Sequence, residues 1–113
     1  MSVEEYFATG PEWERPVFEA VVEHLESVGP VHVEPVSVGI LLKRAATFAE
    51  LRPMARWVAL SFVSAGVLGD ARITRRVAVS AGRNWYGVRL REPSDVDDQV
   101  RAWLTAAYLA TPE

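Results

Sequence analysis

Hydrophobic and polar positions along the chain repeat with two different periods. Between residues 12 and 28, Val17, Phe18, Val21, Val22, Leu25 and Val28 recur at helical spacing, while Glu14, Glu19, Glu23 and Glu26 take the opposite side. This predicts an amphipathic helix. Ahead of it, Ser2 and Glu5 fit a capping box and predict a short helix over 3–8, interrupted by Thr9-Gly10-Pro11. Gly29-Pro30 closes the long helix, the glycine as a left-handed cap and the proline by refusing to continue.

The period then changes to two. Val31 and Val33 alternate with His32 and Glu34, and residues 38–44 place Ile40 and Leu42 on one side, with Pro35 marking an edge or a bend between these segments. Residues 47–51 form a short extended candidate, ended by a turn at Arg52-Pro53. Residues 56–63 alternate clearly, with Val58, Leu60 and Phe62 on one face and Trp57, Ala59 and Ser61 on the other. A loop over 64–72 leads to a strand over 73–80, with Ile73, Val77 and Val79 inward and Thr74, Arg76 and Ala78 outward. After a turn at Gly82-Arg83-Asn84, residues 85–91 place Tyr86, Val88 and Leu90 on one face and Trp85, Gly87, Arg89 and Arg91 on the other. Ser94 is an N-cap candidate for a last helix running to about Leu109, with Asp95, Asp97 and Asp98 in its first turn and Val96, Val100, Trp103, Leu104 and Ala107 on its apolar stripe. Helices, then five or six strands, then a helix predict an α+β fold: a mainly antiparallel sheet with the N- and C-terminal helices packed on one face.

Composition narrows the picture further. With 113 residues, 50% of them hydrophobic, the chain suits one domain over 1–113 with a real core. No apolar run approaches the roughly 20 residues of a membrane span, and residues 1–10 carry Glu4 and Glu5 where a signal peptide would be basic. A cytoplasmic protein without a membrane partner is expected. Zero cysteines exclude disulfides, thiolate metal sites and a cysteine nucleophile. The net charge of −3 hides a segregation. Residues 1–36 set eight glutamates against Arg15, whereas residues 37–92 set ten basic residues against Glu50, Asp70 and Glu92. The tail is acidic again, with Asp95, Asp97, Asp98 and Glu113 against Arg101. Such segregation suggests an anion-attracting middle segment, although solvated strand faces also need polar residues.

Strand parity then gathers the chemistry. His32, Glu34, Lys43, Trp57, Ser61, Thr74, Arg76, Trp85, Arg89 and Arg91 are expected on the face that the helices leave uncovered. Aromatic rings interleaved with cations suit a flat or anionic ligand, with Lys43, Arg76, Arg89 and Arg91 supplying charge and Trp57 and Trp85 the stacking surface. The same tryptophans could instead be covered by the chain itself or by a second copy. His32 and Glu34, two apart on a strand, form the candidate acid–base pair, and His24 reads as a surface residue. For a paired-carboxylate hydrolase, Glu34 and Glu50 are the acids in the sheet region. Two histidines without a ligand spacing predict no metal, and the glycines form no phosphate-binding fingerprint, so no cofactor is expected. A pI near 5.4 and acidic helices argue against nucleic acid.

Several stretches together resemble a known family. These are Val28-Gly29-Pro30-Val31, the Lys43-Arg44 pair followed by Phe48-Ala49, Val88-Arg89-Leu90 with Ser94-Asp95-Val96-Asp97-Asp98, and Trp103 to Tyr108. Over about residues 13–108 the chain resembles the small bacterial domain of unknown function 5655. The resemblance implies the same fold, favours a binding module and brings no established activity. It also implies a histidine just before the Val-Arg-Leu step, where this chain has Tyr86 and Gly87. The reading that follows is a non-catalytic binding domain for an anionic or aromatic small molecule or an acidic protein segment. A small enzyme using Glu34 and His32 is the alternative, and a structural homodimer a further one.

Overall fold

Six strands pair antiparallel in the order β1-β2-β3-β4-β6-β5 in the computed structural model, which describes residues 1–80 and 82–111. Glu113, counted above in the acidic tail, lies outside the described residues. Two helices come first, α1 (Val3–Phe7) and α2 (Glu14–Val28). The strands follow as β1 (His32–Val36), β2 (Gly39–Lys43), β3 (Thr47–Pro53), β4 (Val58–Ser64), β5 (Ile73–Ser80) and β6 (Arg83–Leu90), and α3 (Asp98–Ala110) closes the chain. The α+β architecture expected from the periodicity is present, with the full count of six strands.

One side of the sheet holds the core. Val58, Leu60 and Phe62 of β4 stand opposite Leu90, Val88 and Tyr86 of β6, and all six are buried. The Phe62 ring stacks on Trp103 of α3 with centroids 5.4 Å apart, so α3 lies across this side. Helix α2 packs against α3 and buries Val17, Val21 and Leu25 completely. At its end Gly29 is extended, with φ 170°, so it is not the left-handed cap that the sequence suggests. Glycine is required there by space, because a Cβ would lie 2.4 Å from the Tyr108 hydroxyl, which donates to the Pro30 carbonyl at 2.7 Å.

Strands β1 to β4 form a meander, and the crossover over 65–72 then passes β6 to place β5 at the edge. Core-side residues of β6 hold that crossover. The Tyr86 hydroxyl donates to the Gly66 carbonyl at 2.7 Å and accepts from the Leu68 amide at 3.0 Å, and the Asn84 amide nitrogen also donates to Gly66. Arg72 then bonds Asp97 at 2.7 Å and lies over the Trp103 ring, joining the crossover to α3.

Ser94 is not the cap of the last helix. It sits in a short 3-10 turn (Pro93–Asp95), because Val96 turns into the core and the backbone leaves helical geometry there. Asp97 caps α3 instead, accepting from the Val100 amide at 3.0 Å, and that bond holds its carboxyl below the usual range. Asp95 accepts the Arg91 and Glu92 amides, so the acidic cluster serves two separate turns.

The N-terminal helix is held by a buried carboxylate. Glu14 is 2% exposed and accepts the Tyr6 hydroxyl at 2.6 Å, while Arg15 forks onto Glu4. Burial pushes the Glu14 carboxyl above its ordinary value near 4.5, against the opposing effect of the Tyr6 bond; burial likewise raises the Tyr6 hydroxyl. A carboxyl raised on folding favours the native state when protonated and opposes it as pH rises past the ordinary value. Replacing Glu14 by Gln keeps an acceptor for Tyr6 without the charge. The variant is expected to melt above the wild type at pH 7.5, with the gap closing toward pH 4; a gap independent of pH in paired thermal melts would refute this account. The aromatic stack supplies a second expectation. Phe62→Ala is expected to lower stability by about 3–5 kcal/mol in urea unfolding, and a loss below about 1 kcal/mol would show that the stack is not central to the core.

Candidate functional site

On the side away from α3, residues from five strands line up across the sheet. Register places Leu41 of β2 beside Glu50 of β3, Glu50 beside Ser61 of β4, Ser61 beside Gly87 of β6, and Gly87 beside Arg75 of β5. Next along the strands run Arg52, Ala59 and Arg89 in one direction, and Val63, Trp85 and Val77 in the other. The middle of this face is built from small side chains. Ala59, Ser61 and Gly87 form a floor, and taller residues of β3 and β5 stand beside it. Two adjoining cavities of about 240 and 290 Å³ share Glu50, Ser61, Arg75 and Gly87, forming one trough.

Each end of the trough carries an indole. Trp85 lines one cavity together with Val77, and Trp57 lines the other beside Arg52 and Arg89. Trp57 continues the parity of β4, and Trp85 stands opposite Val63. Six residue steps therefore separate the indoles along β4, roughly 20 Å at strand rise. Both are half-buried. The Arg89 guanidinium lies 4.3 Å from the Trp57 ring centroid and that of Arg91 lies 5.8 Å away, so cations already occupy the Trp57 face.

Arg76 is not on this face. The pairing shifts between Ile73 and Arg75, leaving Thr74 as an extra residue on β5. From Arg75 to Ala78 the side chains change sides relative to unbroken alternation, until a second shift between Ala78 and Ser80. Arg75 and Val77 therefore stand with Gly87 and Trp85, whereas Arg76 and Ala78 stand with Tyr86 and Asn84. Arg76 directs its Nε toward the Asn84 side-chain oxygen at 3.4 Å. Val77 and Val79, expected inward, are 41% and 55% exposed. Gly87 is the partner that lets Arg75 approach, because a Cβ at that position would meet the Arg75 Cβ at 3.2 Å. Of Tyr86 and Gly87, the residues just before Val-Arg-Leu where the resemblance implies a histidine, Tyr86 is buried in the core and Gly87 forms bare floor.

His32, Glu34 and Lys43 share the open side but form a separate group at the β1 edge. Lys43 stands directly opposite His32 and bonds Glu34 at 2.8 Å. That contact, more than any other, holds the Glu34 carboxyl below its usual range. Lys43 and His32 line a different depression of about 470 Å³ with Arg44 and Tyr108. Glu34 and Glu50, the two sheet acids, are separated by Leu41, so their backbones lie two strand spacings apart, roughly 10 Å. His24 is half-buried rather than a surface residue, with its Nε2 2.8 Å from the Thr105 hydroxyl between α2 and α3.

Of the expected cationic and aromatic residues, the trough thus gathers Trp57, Trp85 and Arg89, with Arg91 over the Trp57 ring but outside the trough lining. Arg52, Glu50 and Arg75 are the members that sequence parity did not select. Arg52 lies just past a strand that reads as ending at residue 51, whereas Glu50 lies within it and reads only as a candidate acid. Arg75 is hidden by a bulge that no glycine or proline signals. Arg52, Arg75 and Arg89 have no carboxylate at ion-pair distance among the described residues. The trough therefore presents guanidinium groups that form no ion pair among the described residues.

Among the described residues, no helix is long and apolar enough to cross a membrane, and no three His, Asp or Glu side chains are grouped to hold a metal ion. No curated protein and no solved structure matches the chain. A family profile described as a domain of unknown function (DUF5655) matches residues 3–111, which take in all three helices and all six strands. On that match, the chain belongs to the DUF5655 family.

Proposed function

We propose that this is a non-catalytic, cytoplasmic binding domain whose trough takes a flat organic anion. The observation that carries the reading is the set of three arginines, Arg52, Arg75 and Arg89, around a floor of Ala59, Ser61 and Gly87. Small floor residues leave room for a ring to lie on the sheet, and the indoles offer apolar walls at either end. Guanidinium forks match a carboxylate, sulfonate or phosphate better than a point charge does. The cysteine-free composition suits the cytoplasm.

The alternative acid–base reading is less well supported by the geometry. Glu34 is committed to Lys43, and His32 is exposed with no hydrogen bond to Glu34 among the described residues. An acidic protein segment would use the same arginines, and would also be expected to run along the exposed edge of β5. A homodimer would be expected to cover Val77 and Val79. A small anion is favoured because the arginines without an ion pair border a half-open trough rather than a flat surface.

The test uses 8-anilinonaphthalene-1-sulfonate, a flat aromatic anion, followed by two-dimensional amide NMR. Saturable shifts are expected at Ser61, Gly87 and Trp85. Arg75→Ala is expected to weaken binding about tenfold, or ~1.4 kcal/mol, whereas Arg76→Ala, on the other side of the sheet, should leave it unchanged. Equal effects of the two substitutions, or shifts confined to other surfaces, would overturn the assignment.

A further inference from the structure

One acid stands in the cationic trough without a counter-charge. The segment 37–92 contains three acids, Glu50, Asp70 and Glu92. Asp70 accepts the Arg72 amide at 2.8 Å and pairs with the Arg72 side chain, and Glu92 accepts the Ser94 hydroxyl. Glu50 has neither a hydrogen bond nor an ion pair among the described residues, although Arg75 lines the same cavity. Register explains why the two remain apart. Glu50 on β3 and Arg75 on β5 are separated by Ser61 and Gly87, three strand spacings or roughly 14 Å between backbones. Neither intervening residue carries a side chain long enough to bridge that interval.

At the level of Glu50 the trough is thus dipolar in cross-section, with Glu50 on its β3 wall, Arg75 on its β5 wall and the small floor between, while Arg52 stands two residues further along β3. For a ligand that is only an anion, Glu50 is repulsive in the partly enclosed space where its charge is least screened. For a ligand that also carries a cation, the same carboxylate is the missing partner. We infer that the trough recognises a zwitterion with its charges held apart by a flat spacer, the anionic end on Arg75 and an ammonium or similar cation on Glu50. This rests on the trough's being a binding site, and it names the ligand class that the site selects. Ser61, one strand in from Glu50, can donate a hydrogen bond to the spacer or accept one from it. The role of Glu50 is specificity: it weakens simple anions relative to those that carry a compensating cation.

Three probes separate this from simple anion binding. In 4-(aminomethyl)benzoate the ammonium and carboxylate sit at opposite ends of a ring, 4-methylbenzoate retains only the anion, and benzylamine only the cation. On the wild-type chain, amide NMR titrations are expected to show the zwitterion binding at least about tenfold tighter than either relative, equivalent to ~1.4 kcal/mol. Glu50→Gln should abolish that preference, leaving 4-methylbenzoate bound as well as before or better. The comparison of probes on the wild-type chain stands whether or not the variant folds. Equal affinity for zwitterion and anion, or a preference that survives Glu50→Gln, would overturn the inference while leaving the anion trough intact. If none of these probes nor the naphthalenesulfonate shifts trough residues, the functional reading itself fails, and the inference with it.

Discussion

Because β6 rather than β5 lies beside β4, Phe62 meets Tyr86 on one side of the sheet while Ser61 meets Gly87 on the other. The first pair belongs to the aromatic core under α3, with Phe62 stacked on Trp103. The second pair is the trough floor. A single register therefore sets both where the molecule is packed and where it is open, since alternate residues of a strand cannot choose sides independently. The pairing requires a crossover that skips a strand. The Tyr86 and Asn84 side chains grip that crossover at Gly66, so core residues of β6 also hold the connection that sends β5 to the edge.

The electrostatics follow from how far each charge can reach a partner. Where strands are adjacent, as for Glu34 and Lys43, opposite charges meet and cancel. Where a chain turn brings acid and base together, as for Asp70 and Arg72, they cancel again. Across the trough the same types of side chain stay apart, because two strands bearing only Ser61 and Gly87 lie between them. Surface ion pairs add little to stability, so keeping charges apart costs little and leaves them open to a ligand. Glu14 is the contrasting case: a buried acid whose role is to hold α1 through Tyr6, at the expense of a raised carboxyl.

The chain also shows how a local irregularity redirects chemistry. Thr74 is one residue too many for the ladder between β5 and β6. It exchanges Arg76 for Arg75 on the open face and turns Val77 outward beside Trp85. Bulges of this kind depend on the fit between two strands, so a sequence read one strand at a time does not contain them. The aspartates after β6 illustrate the same limit: Asp95 and Asp97 cap different turns because Val96 is drawn into the core between them.

What the sequence determined by itself was the element order, the fold class, and the parity of β4 and β6. These depend on local periodicity and on Gly and Pro punctuation, which act within a few residues. The two indoles and Arg89 were legible for that reason. Tertiary structure alone decided that Lys43 pairs with Glu34, that Arg75 replaces Arg76, and that Glu50 faces an arginine it does not reach. Each of those outcomes is a distance between strands far apart in the chain, and such distances exist only once the register of the whole sheet is set.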